Sequence, residues 1–133
     1  MGIKENTQMN DITILVNNVP VAYTADSLSW KDGFGNYSVR NAVVGGGQTE
    51  RIFSKDLSSK FGMVKFTMPT TAENEGLKRK WKANDDNNTV ELVGPAGSNF
   101  TRVFTQSSIL EDPESSAATD GNIDIEFNSN PAQ

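Results

Sequence analysis

The sequence predicts a mainly β fold, a sandwich or barrel of about seven or eight strands with one α-helix packed on its outside. Short segments rich in β-branched and aromatic residues alternate with turn-forming Asn, Asp, Gly and Pro, which is typical of an all-β chain. Only residues 70–84 carry the capping signals of a helix. The 133 residues predict a single domain with one hydrophobic core.

The predicted strands follow one another at short intervals. Residues 11–17 and 19–24 form an opening hairpin, whose second arm is expected to continue to a turn at residues 31–33. Further strands are predicted at residues 35–44, 48–55, 62–68, 89–93, 99–109 and 121–131.

An extended hairpin is predicted at about residues 36–58. Gly45, Gly46 and Gly47 form its tip, because glycine accepts the positive φ angles that a tight reversal needs. A phosphate-binding loop is not indicated, since no Gly-Lys-Ser/Thr follows the glycines.

The predicted helix spans about residues 71–84. Thr70 and Glu73 have the spacing of a capping box, in which the Thr70 hydroxyl accepts from the backbone N–H of Glu73. Basic residues in the second half complement the negative end of the helix dipole; they are Lys78, Arg79, Lys80 and Lys82.

The negative charge is concentrated at the end of the sequence. The formal net charge is −5, yet no Lys or Arg follows Arg102. Six acids lie in that last stretch, so the rest of the chain is close to neutral: Glu111, Asp112, Glu114, Asp120, Asp124 and Glu126. Because cations provide most of the affinity for a phosphate backbone, ordinary DNA binding is not predicted.

Residues 121–131 alternate between apolar and polar side chains. Ile123, Ile125 and Phe127 are expected to face the core, against Val64, Phe66 and Trp81 or their neighbours. The opposite face is polar and acidic, and it consists of Asn122, Asp124, Glu126 and Asn128.

The composition excludes most catalytic chemistry. Histidine and cysteine are absent, which removes the usual general base, thiolate nucleophiles and the commonest zinc ligands. Asp124 and Glu126 lie about 7 Å apart along a strand, a pair that hydrolases use but that any acidic strand offers. Asp120, Asn122 and Asp124 copy the start of a calcium loop, but Ile125 and Pro131 replace its required Gly and Glu. No metal or cofactor is therefore predicted.

Residues 55–91, KDLSSKFGMVKFTMPTTAENEGLKRKWKANDDNNTVE, resemble the central block of tail tube proteins of contractile-tailed bacteriophages. In that family a strand runs into a proline and a capped helix, followed by a W-x-x-N turn and another strand. The closing GNIDIEFNSNPA also resembles the family's acidic last strand. At Asn74-Glu75-Gly76 this chain departs from the pattern, which has an apolar residue in the first turn of the helix.

The resemblance implies a subunit that assembles as six-fold rings stacked into a hollow tube, with a long hairpin reaching between rings. It implies as partners other copies of the chain, a tail sheath, a tape-measure protein and a baseplate. Genomic DNA would pass through without specific binding. The expected location is the virion tail, assembled in the cytoplasm of the host bacterium.

The resemblance also suggests where each charged surface would lie. Asn122, Asp124, Glu126 and Asn128 are the candidates for lining the lumen, where an acidic wall repels DNA and keeps it centred. Lys78, Arg79, Lys80 and Lys82 are the candidates for facing the sheath.

Two other readings of the sequence remain. A small carbohydrate- or cell-surface-binding β-sandwich would use Trp30, Phe34 and Tyr37 as a stacking platform. A small acidic-pair hydrolase would use Asp124 and Glu126. Residues 1–7 lack the apolar run of a signal peptide, so neither secretion nor a membrane anchor is expected.

Overall fold

The computed structural model describes residue 9 and residues 11–133, within which nine strands and one α-helix form. The strands are β1 (Thr13–Val16), β2 (Val19–Val21), β3 (Ser29–Lys31), β4 (Asn36–Val43), β5 (Thr49–Asp56), β6 (Gly62–Pro69), β7 (Asn88–Val93), β8 (Thr101–Ser107) and β9 (Asn122–Ser129). The helix α1 (Ala72–Ala83) follows β6, and a short 3-10 turn (Leu57–Ser59) follows β5. The predicted mainly β fold with one helix is confirmed.

Two antiparallel sheets pack against each other. The first has the strand order β2-β1-β7-β8, the second has the order β3-β6-β9, and β4 pairs only with β5. Residues 132 and 133 join the two main sheets. Gln133 and Val103 exchange backbone hydrogen bonds of 3.0 and 3.2 Å, and the Ala132 N–H donates to the Asp32 carbonyl at 2.7 Å.

The core fills the space between the two sheets. Ile123, Ile125 and Phe127 of β9 are fully buried, and β6 presents Val64 and Phe66 across from Phe127 and Ile125. The Trp81 ring of α1 lies 5.6 Å from the Phe127 ring and 6.4 Å from the Phe66 ring. The predicted packing of the closing strand is confirmed.

The predicted second arm of the opening hairpin is split between the two sheets. It ends as β2 at Val21, and β3 begins only at Ser29 on the other sheet. Between them the Thr24 N–H donates to the Thr67 carbonyl at 2.8 Å, and Asp26 takes a φ of 64°, which turns the chain. This crossing raises the number of strands above the predicted seven or eight.

The helix begins one residue later than the capping box predicts. Thr71, not Thr70, is the N-cap, and its hydroxyl accepts from the Asn74 N–H at 3.1 Å. The Thr70 backbone N–H instead donates to the Gly121 carbonyl at 3.1 Å, which holds Thr70 outside the helix. Its hydroxyl is buried without a hydrogen-bond partner among the described residues.

Asn74 lies in the segment Asn74-Glu75-Gly76, where the chain departs from the tail tube pattern. Its side chain is buried, and its Nδ2 donates to the Pro69 carbonyl at 2.7 Å. The amide therefore ties the first turn of α1 to the end of β6. A polar side chain fits this buried site because its amide has a hydrogen-bond partner there.

No helix in the described part of the chain combines the length and the apolarity that a membrane crossing requires. The prediction about a signal peptide concerns residues 1–7, which lie outside the described residues.

Candidate functional site: an acidic sheet face and an unpacked hairpin

The outward side of the β3-β6-β9 sheet carries the predicted acidic residues. Asn122, Asp124 and Glu126 are exposed, Asn128 is half-buried, and the apolar residues between them point inward. The strict two-residue alternation of β9 produces this separation.

The outward side of this sheet is less negative than β9 alone would indicate. Lys65 of β6 lies directly across from Glu126, and Thr67 lies across from Asp124. Lys31 of β3 is exposed on the same side. These lysines lie far from β9 in sequence, so only the strand pairing brings them next to the acids.

A loop between β8 and β9 brings further acids to the edge of this face. A groove of about 430 Å³ lies between the loop and β9; its charged residues are Lys65, Glu111, Asp112, Glu114, Asp124 and Glu126. Among the described residues, no three acidic side chains converge as metal ligands would. The groove therefore concentrates negative charge at the edge of the sheet.

Two of the helix lysines hold this loop in place. The Lys82 Nζ donates to the carbonyl oxygens of Ile109 and Leu110 at 2.7 and 3.3 Å. The Lys78 Nζ donates to the Ser115 hydroxyl at 2.8 Å and lies 2.9 Å from the Glu75 carboxylate. Hydrogen bonding from Ser115, together with Lys78, lowers the pKa of Glu75.

The four candidate sheath-facing residues thus divide into two pairs. Lys78 and Lys82 make internal contacts with the loop, whereas Arg79 and Lys80 point into solvent. The sequence showed only a cluster of positive charge, because the partners of Lys78 and Lys82 lie about 30 residues away in a loop without a distinctive pattern.

The β4-β5 hairpin is the second unusual surface. Its two strands pair along all eight residues, from Asn36 across from Asp56 to Val43 across from Thr49. Of its strand residues only Ala42 and Ile52 are even half-buried, so both faces are open to solvent.

The tip of the hairpin needs its glycines. Gly45, Gly46 and Gly47 have φ angles of 31°, 69° and 77°, a left-handed run that is costly for residues with a side chain. A Cβ at any of the three would meet no atom within 4 Å. Backbone geometry, not crowding, therefore selects glycine here.

The three aromatic residues of the predicted stacking platform do not share one surface. Trp30 is half-buried and packs against the Phe100 ring at 5.3 Å, while Tyr37 lies 5.1 Å from Phe53 on the hairpin. Phe34 alone is freely exposed, at 72%. The platform prediction is wrong for Trp30, because its position on β3 turns the ring toward the core.

The architecture is that of a two-sheet β protein with one packed helix and a projecting hairpin. No family model and no curated protein matches the chain. A solved structure, the cryo-EM structure of the cap that terminates the tube of an anti-feeding prophage, matches it with a TM-score of 0.66. The match covers 100% of this chain and 93% of the cap chain, at 6% sequence identity. At that identity the likeness establishes a shared fold.

Proposed function

We propose that this chain is a structural, non-catalytic subunit of a phage-type tail that assembles as stacked hexameric rings into a hollow tube. The observation that carries the proposal is the β4-β5 hairpin, whose two faces lack packing in the described part of the chain. A two-stranded hairpin is marginally stable alone in water, and its outer edges offer unpaired backbone groups. Contact with another chain would satisfy both needs.

Two other observations support a tail role. The fold is shared with a protein that terminates a tube. The resemblance of residues 55–91 to tail tube proteins supplies the six-fold ring and the partners, which are a sheath, a tape-measure protein and a baseplate. The location that follows is the tail of a virion built in the bacterial cytoplasm.

Electron microscopy and sedimentation of the purified chain test the assembly. We expect rings or tubes whose fraction rises with protein concentration. The matched control replaces residues 37–55 by a short glycine linker, which leaves both main sheets in place. This variant should still unfold in one cooperative transition, which shows that the two main sheets remain folded, and it should stay monomeric. A wild-type chain that stays monomeric at millimolar concentration would contradict the proposal.

Within this proposal the outward side of the β3-β6-β9 sheet faces the lumen. Asp124 and Glu126 point outward from it, and the acids of the 111–114 segment lie beside them. Their charges outnumber those of Lys31 and Lys65, so the face would repel DNA phosphates at separations below about 10 Å at moderate salt. Repulsion keeps the polymer from binding to the wall.

Lysine substitution tests the lumen assignment. Tubes that carry Asp124→Lys and Glu126→Lys should retain double-stranded DNA in co-sedimentation at low salt, whereas wild-type tubes should release it. Lys65→Glu is the matched control, because it changes the same face in the opposite direction and should not increase retention. Equal retention by wild-type and lysine tubes would count against an acidic lumen.

The sheath contact in this proposal is made by Arg79 and Lys80. Both are exposed on α1, and a weak, solvated charge contact suits a partner that must dissociate. Arg79→Glu with Lys80→Glu should weaken sheath binding and leave the tubes intact. Substitution of Lys78 and Lys82 is a less specific test of sheath binding, because it would also remove the hydrogen bonds that hold the β8-β9 loop.

A further inference from the structure

The β4-β5 hairpin has two chemically different faces. The strand pairing places Tyr37, Val39 and Phe53 on one face, where each of them is about half exposed. We call this the aromatic face; its other members are Asn41, Val43, Thr49, Arg51 and Lys55. It carries two positive charges and no acid. The opposite face mixes Arg40 with Glu50 and Asp56.

The β2-β1-β7-β8 sheet has an outward side of matching character. Ile14 and Leu92 are fully buried, so the residues on either side of them in β1 and β7 point outward. We call this outward side the threonine face; it consists of Thr13, Leu15, Pro20, Glu91, Val93, Thr101 and Val103. Each of these residues is exposed or half-buried. Glu91 is its one charged residue in the described part of the chain.

We infer that the aromatic face of one copy packs on the threonine face of a second copy. Two sheets pack at about 10 Å through apolar side chains, and each surface offers valines with either aromatic rings or small threonines. The charges are complementary, because Arg51 and Lys55 meet a surface whose charge is Glu91. The inference rests on the proposed assembly and names its contact.

Other docking partners fit the hairpin less well. Two aromatic faces packed together would bring Arg51 and Lys55 of one copy against the same residues of the other. The outward side of the β3-β6-β9 sheet is polar, with Lys65, Asp124 and Glu126 exposed, and it offers no valines to pack against the aromatic rings; in the proposed assembly it faces the lumen. A second copy's threonine face has neither problem.

The contact joins two different surfaces, which has a consequence for the assembly. A head-to-tail contact leaves a free hairpin at one end and a free threonine face at the other. Further copies can therefore be added along one axis, as a stack of rings requires.

Cysteine cross-linking tests the contact directly, since the native sequence has no cysteine. Val39→Cys chains mixed with Val103→Cys chains should form a disulfide-linked dimer under mild oxidation. Ser38→Cys is the matched control, because residue 38 neighbours Val39 but lies on the opposite face of the hairpin. Equal cross-linking from positions 38 and 39 would overturn the inference.

A charge exchange provides a second measurement that does not need cysteines. Glu91→Lys should raise the concentration needed for assembly roughly tenfold, as should Arg51→Glu with Lys55→Glu. A mixture of these two variants should assemble better than either alone, because the opposite charges meet again. Arg40→Glu, on the opposite face of the hairpin, should leave assembly unchanged.

The two proposals fail in distinguishable ways. Wild-type chains that stay monomeric overturn both of them. Wild-type chains that form rings or tubes, without the 39–103 cross-link and without an effect of Glu91→Lys, overturn the inference and leave the assembly standing.

Discussion

The side-chain amide of Asn88 donates to the backbone carbonyl of Trp81 at 2.9 Å in a fully buried site. The same nitrogen donates to the Ser107 carbonyl at 3.2 Å, and the Asn88 oxygen accepts from Asn17 and Asn84 at 3.0 and 3.3 Å. One side chain therefore joins the end of α1 to β7, β8 and the turn after β1. Trp81 lies in the last turn of the helix, where carbonyls lack a partner within the helix.

Asn88→Leu should lower the free energy of unfolding by about 3 kcal/mol, because it leaves several buried polar groups without partners. Urea unfolding followed by tryptophan fluorescence measures the change. Asn87→Leu, at the exposed neighbouring position, is the control and should lie within about 0.5 kcal/mol of the wild type. Similar effects of the two substitutions would show that the network adds little stability.

Thr70 and Thr71 are expected to respond to substitution in opposite directions. Thr71→Ala removes the N-cap and should lower the free energy of unfolding by about 1 kcal/mol. Thr70→Val removes a buried hydroxyl that has no partner among the described residues, and should raise it by about 1 kcal/mol. The melting temperature of Thr71→Ala should thus lie below that of the wild type, and that of Thr70→Val should lie above it. The reverse order would indicate that Thr70 is the cap.

The Glu75 carboxylate predicts a loss of stability in acid. Its pKa in the folded chain lies below the ordinary value of 4.5, because Ser115 and Lys78 stabilise the charged form. A lowered folded pKa gives stability that is complete above the unfolded pKa and is lost as the pH falls through the folded pKa. The denaturant concentration at the midpoint of unfolding should therefore decrease as the pH falls below 4.5.

The comparison with Glu75→Gln isolates this residue. The variant should lose less stability than the wild type between neutral pH and pH 3, because its side chain does not titrate. Glu73→Gln, two residues earlier, is the control and should follow the wild-type curve. Parallel curves for Glu75→Gln and wild type would contradict the assignment.

The hydrogen bonds of Lys82 are expected to protect the β8-β9 loop from proteolysis. Lys82→Met keeps the apolar stem but loses both hydrogen bonds to the loop carbonyls, which should cost about 1 kcal/mol of local stability. A glutamate-specific protease should then cut after Glu111 or Glu114 roughly fivefold faster than in the wild type. The Lys80→Met variant, changed at an exposed position two residues from both Lys78 and Lys82, should be cut at the wild-type rate.

The alternation of β9 and the glycine tip of the hairpin could be predicted from the sequence, because both depend only on residues that are neighbours in the chain. The exposed and buried sides of β9 follow from its two-residue period, and Trp81 packs against Phe127 of this strand as predicted. The helix start was wrong by one residue, because either threonine can cap and the contact of Thr70 with Gly121 decides between them.

The contacts that the sequence did not reveal join distant segments. Asn88 lies just outside the strand predicted at residues 89–93, yet β7 begins there and buries it among groups from three other parts of the chain. The pairing of Lys65 with Glu126 and the attachment of Lys82 to the loop have the same origin. Strand pairing and loop placement are properties of the folded chain, so no local pattern marks them.

The three left-handed glycines at the hairpin tip also bear on how faithfully the proposed polymer would grow. Glycine loses more backbone freedom than any other residue when it becomes fixed. A tip that is ordered on docking would lower the affinity of each new contact and shorten its lifetime. Misplaced subunits could then dissociate before the next layer traps them, so the same glycines would serve as a means of error correction during growth.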